Sequence, residues 1–148
     1  MAVSSRMSAL GVRDTTPELQ VRRAMHRMGM RYRVCYPIPG RPRRSIDIAF
    51  TRWRVAVYVD GCFWHGCPVH GTLPIANAQW WAEKLVANTD RDRDSDMCLA
   101  ANGWRVVRVW EHESVLEVIV KVVETLLASG YPGSMEVMLA KYEGQRLE

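Results

Sequence analysis

The stretch Cys62-Phe63-Trp64-His65-Gly66-Cys67-Pro68-Val69-His70 constrains the fold of this chain more than any other. Cys62, Cys67 and His70 fall within nine residues, directly after an apolar strand pattern. Nothing in the sequence points to an oxidising compartment, so metal ligation outranks a disulfide. Zinc takes four thiolate or imidazole ligands in a closed tetrahedron. His112, just past a second strand pattern ending at Trp110, is the best remaining fourth ligand. Four protein ligands leave no open coordination position, so this zinc reads as structural, pinning a long loop to a sheet. The plainer alternative is a set of small buried cysteines and hydrogen-bonded histidines. Cys35 and Cys98 lack nearby partners and read as core residues.

Around this cluster the chain reads as α/β. Its 148 residues suit one domain. A first helix is predicted from Thr15 or Thr16 to about Met28, with Pro17 early, Thr15-x-x-Glu18 in capping-box form, and Gly29 as the stop. Tyr32–Tyr36 is a short strand ended by a Pro37-Ile38-Pro39-Gly40 turn. Ile46–Phe50 alternates, apolar on one face, and forms a hairpin with Val55–Val59. A long helix fills roughly 76–101 and stops at Asn102-Gly103. Arg105–Trp110 is a strand, and Ser114-x-x-Glu117 opens a largely apolar helix to about Leu127. Beyond Gly130 a tail or short helix is expected. No apolar run reaches the ~20 residues of a membrane span, and Met1–Leu10 shows no secretory core. The expectation is therefore a cytoplasmic protein without a membrane partner.

Charge is unevenly spread. Residues 1–54 carry 12 arginines against Asp14, Glu18 and Asp47, a formal +9, whereas the whole chain is only +4. Arginine is suited to bidentate phosphate contacts, so this half points to nucleic acid. An Arg-rich composition on a solvated surface is the duller reading.

Three carboxylates invite a cation. Asp47 interrupts apolar neighbours on one strand, Asp60 ends the next, and Glu18 lies on the first helix. Hard oxygen ligands of this kind suit Mg²⁺, which can carry a scissile phosphate and activate water. His65, five residues past Asp60, is placed to act as a general base. Against this, Glu18 has a role in a capping box, Asp47 has one as a solvent-facing strand residue beside Arg43 and Arg44, and His65 competes with His70 for zinc.

Further segments complete a pattern: Arg13-Asp14-Thr15-Thr16-Pro17-Glu18, Pro39-Gly40-Arg41-Pro42 with Asp47, and Asp60-Gly61-Cys62-Phe63-Trp64-His65-Gly66-Cys67. Trp80-Trp81-x-x-Lys84, Asn88-x-x-Arg91-Asp92 and Gly103-Trp104 to Trp110-Glu111-His112 follow in order. From about Ser5 to Leu127 the chain resembles the very-short-patch-repair (Vsr-type) DNA mismatch endonucleases, a branch of the PD-(D/E)xK-like nucleases. The resemblance implies a single restriction-endonuclease-like domain at 15–130, with a central mixed sheet flanked by helices. It also implies a DNA-contacting arm at 1–14 and leaves 131–148 as the tail.

The resemblance implies roles as well. Asp47 is the principal Mg²⁺ ligand with the Val59 backbone carbonyl, His65 the general base, and Glu18 an active-site helper. Asp60 falls at a second catalytic position where some members carry histidine. Cys62, Cys67, His70 and His112 match the structural Zn²⁺ set. Phe63, Trp64 and Trp81 match side chains wedged into the base stack beside a mismatch, where unstacking is cheapest. Lys84 and Asn88 follow Trp81 on one helix face and offer groups for reading a T:G wobble pair, while Trp80 is expected in the core. Met7 matches a residue approaching DNA from the far side. Arg43-Arg44-Ser45-Ile46 separates Asp47 from its usual place after Pro-Gly-x-Pro and reads as a basic insertion, with Arg41, Arg43 and Arg44 beside the cleaved strand.

The implied activity is nicking of one strand of duplex DNA at or beside a T:G mismatch, the product of 5-methylcytosine deamination. A cytosine-5 methyltransferase is then a genetic companion, mismatch-repair factors are possible partners, and a monomer suffices for an asymmetric lesion. The alternatives are a related restriction or defence nuclease with another target, and a zinc-stabilised DNA-binding module without catalysis.

Overall fold

A computed structural model of the chain describes residues 16–62, 67–69 and 74–145. The expectations for the 1–14 arm with Met7, and for Phe63, Trp64, His65 and His70, lie outside the described residues.

The first helix, α1, spans Thr16–Arg27 and buries Glu18, Val21, Ala24 and Met25 along one stripe. It stops before Gly29, whose φ of 86° is the left-handed turn that residues with a Cβ resist. Strands β1 (Arg33–Ile38), β2 (Arg41–Phe50) and β3 (Val55–Asp60) follow in sequence. Helix α2 (Ala78–Ala101) then crosses to β4 (Arg105–Trp110), and α3 (Val115–Ala128) and α4 (Met135–Gly144) complete the chain. The sheet order is β1-β2-β3-β4. The first two pairings are antiparallel and β3–β4 is parallel, so the sheet is mixed within a single α/β domain.

Two cores sandwich this sheet. On one side Val21 and Met25 of α1, Val122 and Leu126 of α3, and Met138 of α4 pack against Phe50, Val57 and Val109. On the other, Ile38, Ile46, Ala49, Ala56 and Tyr58 pack with Leu99 of α2 and with Trp104. Alternation along β3 feeds both: Val55 and Val57 face one side, Ala56 and Tyr58 the other. Ser114 caps α3 with the reciprocal box expected from Ser114-x-x-Glu117. Among the described residues no helix is long and apolar enough to cross a membrane.

Three expectations change. The first strand does not end at Tyr36 but runs to Ile38, with Pro37 paired opposite Ser45. β1 is an edge strand, where a proline is tolerated because one side of the backbone has no sheet partner. The second strand does not begin at Ile46: Arg43-Arg44-Ser45-Ile46, read as a basic insertion, lies within a ten-residue β2. Ile46 does not share a face with Ile48 and Phe50: it packs beneath α2, and they pack on the opposite side. This loss of two-residue period falls at Asp47. Across the hairpin, Cys35 lies between the Val34–Ile48 and Tyr36–Ile46 rungs and takes a φ of 49°. A non-glycine residue in that region costs about 1 kcal/mol or more.

Candidate active site and metal centre

The irregularity at Asp47 opens the sheet. β2 pairs with β3 only through Phe50–Val55, Ala49–Ala56 and Ile48–Val57, although both strands continue. Where the next bond to β3 would form, the Asp47 side chain takes it: the Val59 amide donates to Asp47 Oδ2 at 3.0 Å. One carboxylate oxygen is thus fixed to the β3 backbone, at the mouth of a fork between the two central strands.

The fork is crowded with negative charge. Burial and then the Glu18 carboxylate push Asp47 up to about 7, and Asp60 adds to the rise. The Val59 amide and Arg108 act the other way without offsetting it. Glu18 reaches this neighbourhood because it lies on the inward stripe of α1 and is only 2% exposed; Arg22, one turn on, stands 3.6 Å from its Oε1. At a partly buried carboxylate lifted first by burial and then by two others, a cation would relieve the repulsion. Hard oxygen donors of this kind fit Mg²⁺.

Asp60, 6% exposed, is held by a residue the sequence reading overlooked. Arg108 Nη1 donates to both Asp60 oxygens, at 3.1 and 3.2 Å. Its Nε donates to both Asp96 oxygens at 3.0 Å, and its Nη2 to Asp96 Oδ1 at 2.8 Å. Asp92 stands 3.8 Å away, and the guanidinium lies 4.1 Å from the Tyr58 ring centre. One side chain therefore ties the end of β3 to α2. The signal was present in Arg105-Val106-Val107-Arg108-Val109-Trp110, where a charge interrupts an apolar strand. Its meaning depends on register: Arg108 pairs with Tyr58, which sets it diagonal to Asp60 on the same face.

Two of the three arginines of β2 have internal partners too. Arg44 Nη1 donates to Asp94 Oδ2 at 2.6 Å and Arg41 Nε to the same oxygen at 3.3 Å. Alternate aspartates of α2 therefore reach two strands of the sheet, Asp94 toward β2 and Asp92 with Asp96 toward β4.

On α2, Trp80, expected in the core, lies instead on the surface, and Trp81 is the buried one. Trp80 is 56% exposed and Trp81 only 9%. Neighbouring helical residues point about 100° apart, so one of two adjacent tryptophans faces inward. Here the Trp81 amide closes the first turn on the Asn77 carbonyl at 3.0 Å, and the Trp80 ring meets the Trp81 ring edge-on. Lys84 is exposed and Asn88 half-buried.

Two residues beyond Asp60 the second cluster begins. Cys62 Sγ lies 3.1 Å and Cys67 Sγ 3.7 Å from His112 Nδ1, and all three ligand atoms fall within 4.8 Å of one another. A tetrahedral ion with Zn–S of ~2.3 Å and Zn–N of ~2.0 Å would set sulfur and nitrogen about 3.5 Å apart, so the donor set fits zinc. The Cys67 amide donates to the Cys62 carbonyl at 2.9 Å, and the Cys62 amide to Glu111 Oε1 at 3.1 Å, which turns both sulfurs toward His112. Burial and the second thiol push Cys62 up to about 11, a cost that a bound cation removes by taking the thiolate.

Comparison with known proteins places this geometry. Residues 2–70 match the family model described as DNA mismatch endonuclease Vsr. The chain is 42% identical over 137 residues to the type II nicking enzyme V.NaeI of Lentzea aerocolonigenes, covering 90% of this chain and 82% of that protein. It is 40% identical to the type II nicking enzyme V.XorIIP of Xanthomonas oryzae pv. oryzae, over 72% of this chain and 77% of that protein. It is 34% identical to the DNA mismatch endonuclease Vsr of Escherichia coli K12, over 73% of this chain and 68% of that protein. With an acidic fork in a mixed sheet, a cysteine–histidine centre beside it, and these relatives along most of its length, the chain belongs to the Vsr family of DNA endonucleases.

Proposed function

We propose that the protein nicks one strand of duplex DNA at or beside a T:G mismatch, with Mg²⁺ at Asp47 and structural Zn²⁺ at Cys62, Cys67, His70 and His112. The observation carrying this reading is the Asp47 carboxylate at the strand fork, lifted toward neutral pH by burial and then by Glu18 and Asp60. Simple DNA binding needs no such concentration of buried acid.

Asp47 and the Val59 backbone carbonyl would hold the magnesium, with Glu18 as a helper. When bound, that ion supplies charge neutralisation at the phosphate and acidifies water. His65 takes a proton from the attacking water, whose oxygen forms the new bond to phosphorus in line with the leaving oxygen. The P–O3′ bond breaks and the departing O3′ takes a proton from solvent water, leaving a 3′-hydroxyl and a 5′-phosphate. Asp60, held by Arg108, would set a second carboxyl beside the centre. Phe63, Trp64 and Trp81 are the proposed wedges, and Lys84 and Asn88 the wobble readers. Arg41, Arg43 and Arg44 lie beside the cleaved strand, with Arg41 and Arg44 shared with Asp94. Met7 and the 1–14 arm approach from the far side. A monomer acting in the cytoplasm completes this reading, with a cytosine-5 methyltransferase as its genetic companion.

Several relatives are named type II nicking enzymes, which supports a second target class, DNA tied to a restriction–modification system. A nicking assay with Mg²⁺ over matched duplexes and a full mismatch panel separates the two. Selective cutting of T:G supports the first reading, and cutting of matched DNA the second. Asp47→Asn is expected to bind DNA as before while losing nicking by roughly 10² or more. Wild-type nicking by that variant would remove Asp47 from the site.

A further inference from the structure

Two groups of arginines stand out among the described residues. Those in bracing positions have acidic partners: Arg41 and Arg44 with Asp94, and Arg108 with Asp60, Asp92 and Asp96. A second group lies on the outer face of α1 and at the start of β1. Among the described residues, Arg23, Arg27, Arg31 and Arg33 form no ion pair. Arg23, His26 and Arg27, with Leu19, Arg22 and Tyr32, line a groove of about 280 Å³. The groove is rigidly built, because Tyr32 Oη donates to the Arg22 carbonyl at 2.6 Å and joins the strand start to the helix.

Local structure accounts for only part of this charge. The helix dipole favours His26 and Arg27 in the last turn, and Arg31 donates to the His26 and Met30 carbonyls. Arg23 and Arg33 have no such reason. Cations gathered within a ~10 Å screening length repel one another, and a polyanion relieves that repulsion. The α1 helix also has direction: its first turn carries Glu18 to the Asp47 fork, and its far end carries Arg27. Nine helical residues at ~1.5 Å rise cover about 14 Å, the span of about four phosphates at ~3.4 Å along one strand.

We propose that the outer face of α1, with the start of β1, binds the phosphodiester backbone of duplex DNA about four nucleotides from the nick. This rests on the DNA-nicking reading above. It assigns Arg23 and Arg27 a role in grip on the flank, apart from the chemistry at Asp47.

The test is fluorescence anisotropy of a fluorescein-labelled T:G duplex, with Ca²⁺ in place of Mg²⁺, across a NaCl series. For Arg23→Gln/Arg27→Gln the slope of log affinity against log salt is expected to fall by about 2, at ~0.9 per phosphate contact. Arg33→Gln alone should lower it by about 1. Arg54→Gln/Arg105→Gln removes the same charge from the β3–β4 side of the sheet, across from β1, and should leave the slope unchanged. With Mg²⁺ and saturating DNA, the nicking rate of the α1 variant should match wild type. An unchanged slope in the α1 variant, an equal fall in the control, or a lowered saturated rate would each overturn the assignment while leaving the nicking reading standing. A wild-type protein with no salt-dependent DNA binding would overturn both.

Discussion

Arg108 shows how one side chain settles the character of a site. Its guanidinium spends hydrogen bonds on Asp60 and Asp96 at once, so the end of β3 and the middle of α2 share one cation. Arg108→Met is expected to destabilise the fold by about 3 kcal/mol, because Asp60 stays buried after the cation that bonds it is gone. Urea unfolding checks this. Arg108→Lys keeps the charge but not the planar fork, so it should recover only part of the loss. Equal stability of the Met variant and wild type would show that Asp60 does not depend on Arg108. At this scale the sequence was legible where chemistry is local: Cys62, Cys67 and His112 were paired from spacing and strand position alone. It was illegible where the partner comes from register. Nothing near Arg108 in the chain announces Asp60, and nothing near Arg44 announces Asp94.

Elements were legible wherever a period ran undisturbed. Arg105–Trp110 and the Ser114-capped helix lie where alternation and capping placed them, because each has a single buried face. Ser114→Ala is expected to cost about 1 kcal/mol in thermal unfolding, since α3 carries Val118, Ile119, Val122, Val123 and Leu126 into the core. The hairpin of β1 and β2 was harder. Pro37 reads as a break, yet an edge strand accepts it, and the switch of side between Ile46 and Ile48 follows from a backbone irregularity with no compositional mark. The core expectation for Trp80 failed for another reason, since both tryptophans are apolar and only the true helix start decides which turns inward. For the metal loop, Cys67→Ser should abolish stoichiometric zinc by elemental analysis and lower Tm. Full zinc content in that variant would remove Cys67 from the set.

At the scale of the whole molecule, the arginines described within residues 16–54 include two that brace β2 against α2 and others that stand on the outer face of α1, a distinction that composition cannot make. Acid distribution has its own global consequence. Asp47 stands at about 7, above its ordinary 3.8, so the folded state binds its proton more tightly than the unfolded chain. That contribution is full below about pH 4 and is lost as pH rises through about 7. Metal-free protein is therefore expected to lose stability across that window, and Asp47→Asn to flatten the curve; an identical pH profile in the variant would refute it. The fork at Ile48–Val57 carries this further. Because the Val59 amide is bonded to a titrating side chain instead of a backbone carbonyl, its ¹⁵N–¹H resonance becomes a reporter built into the sheet. One peak should move with the protonation of Asp47 and move again when a divalent cation takes that oxygen. The charge state of the centre could then be followed at a single atom, without DNA and without turnover.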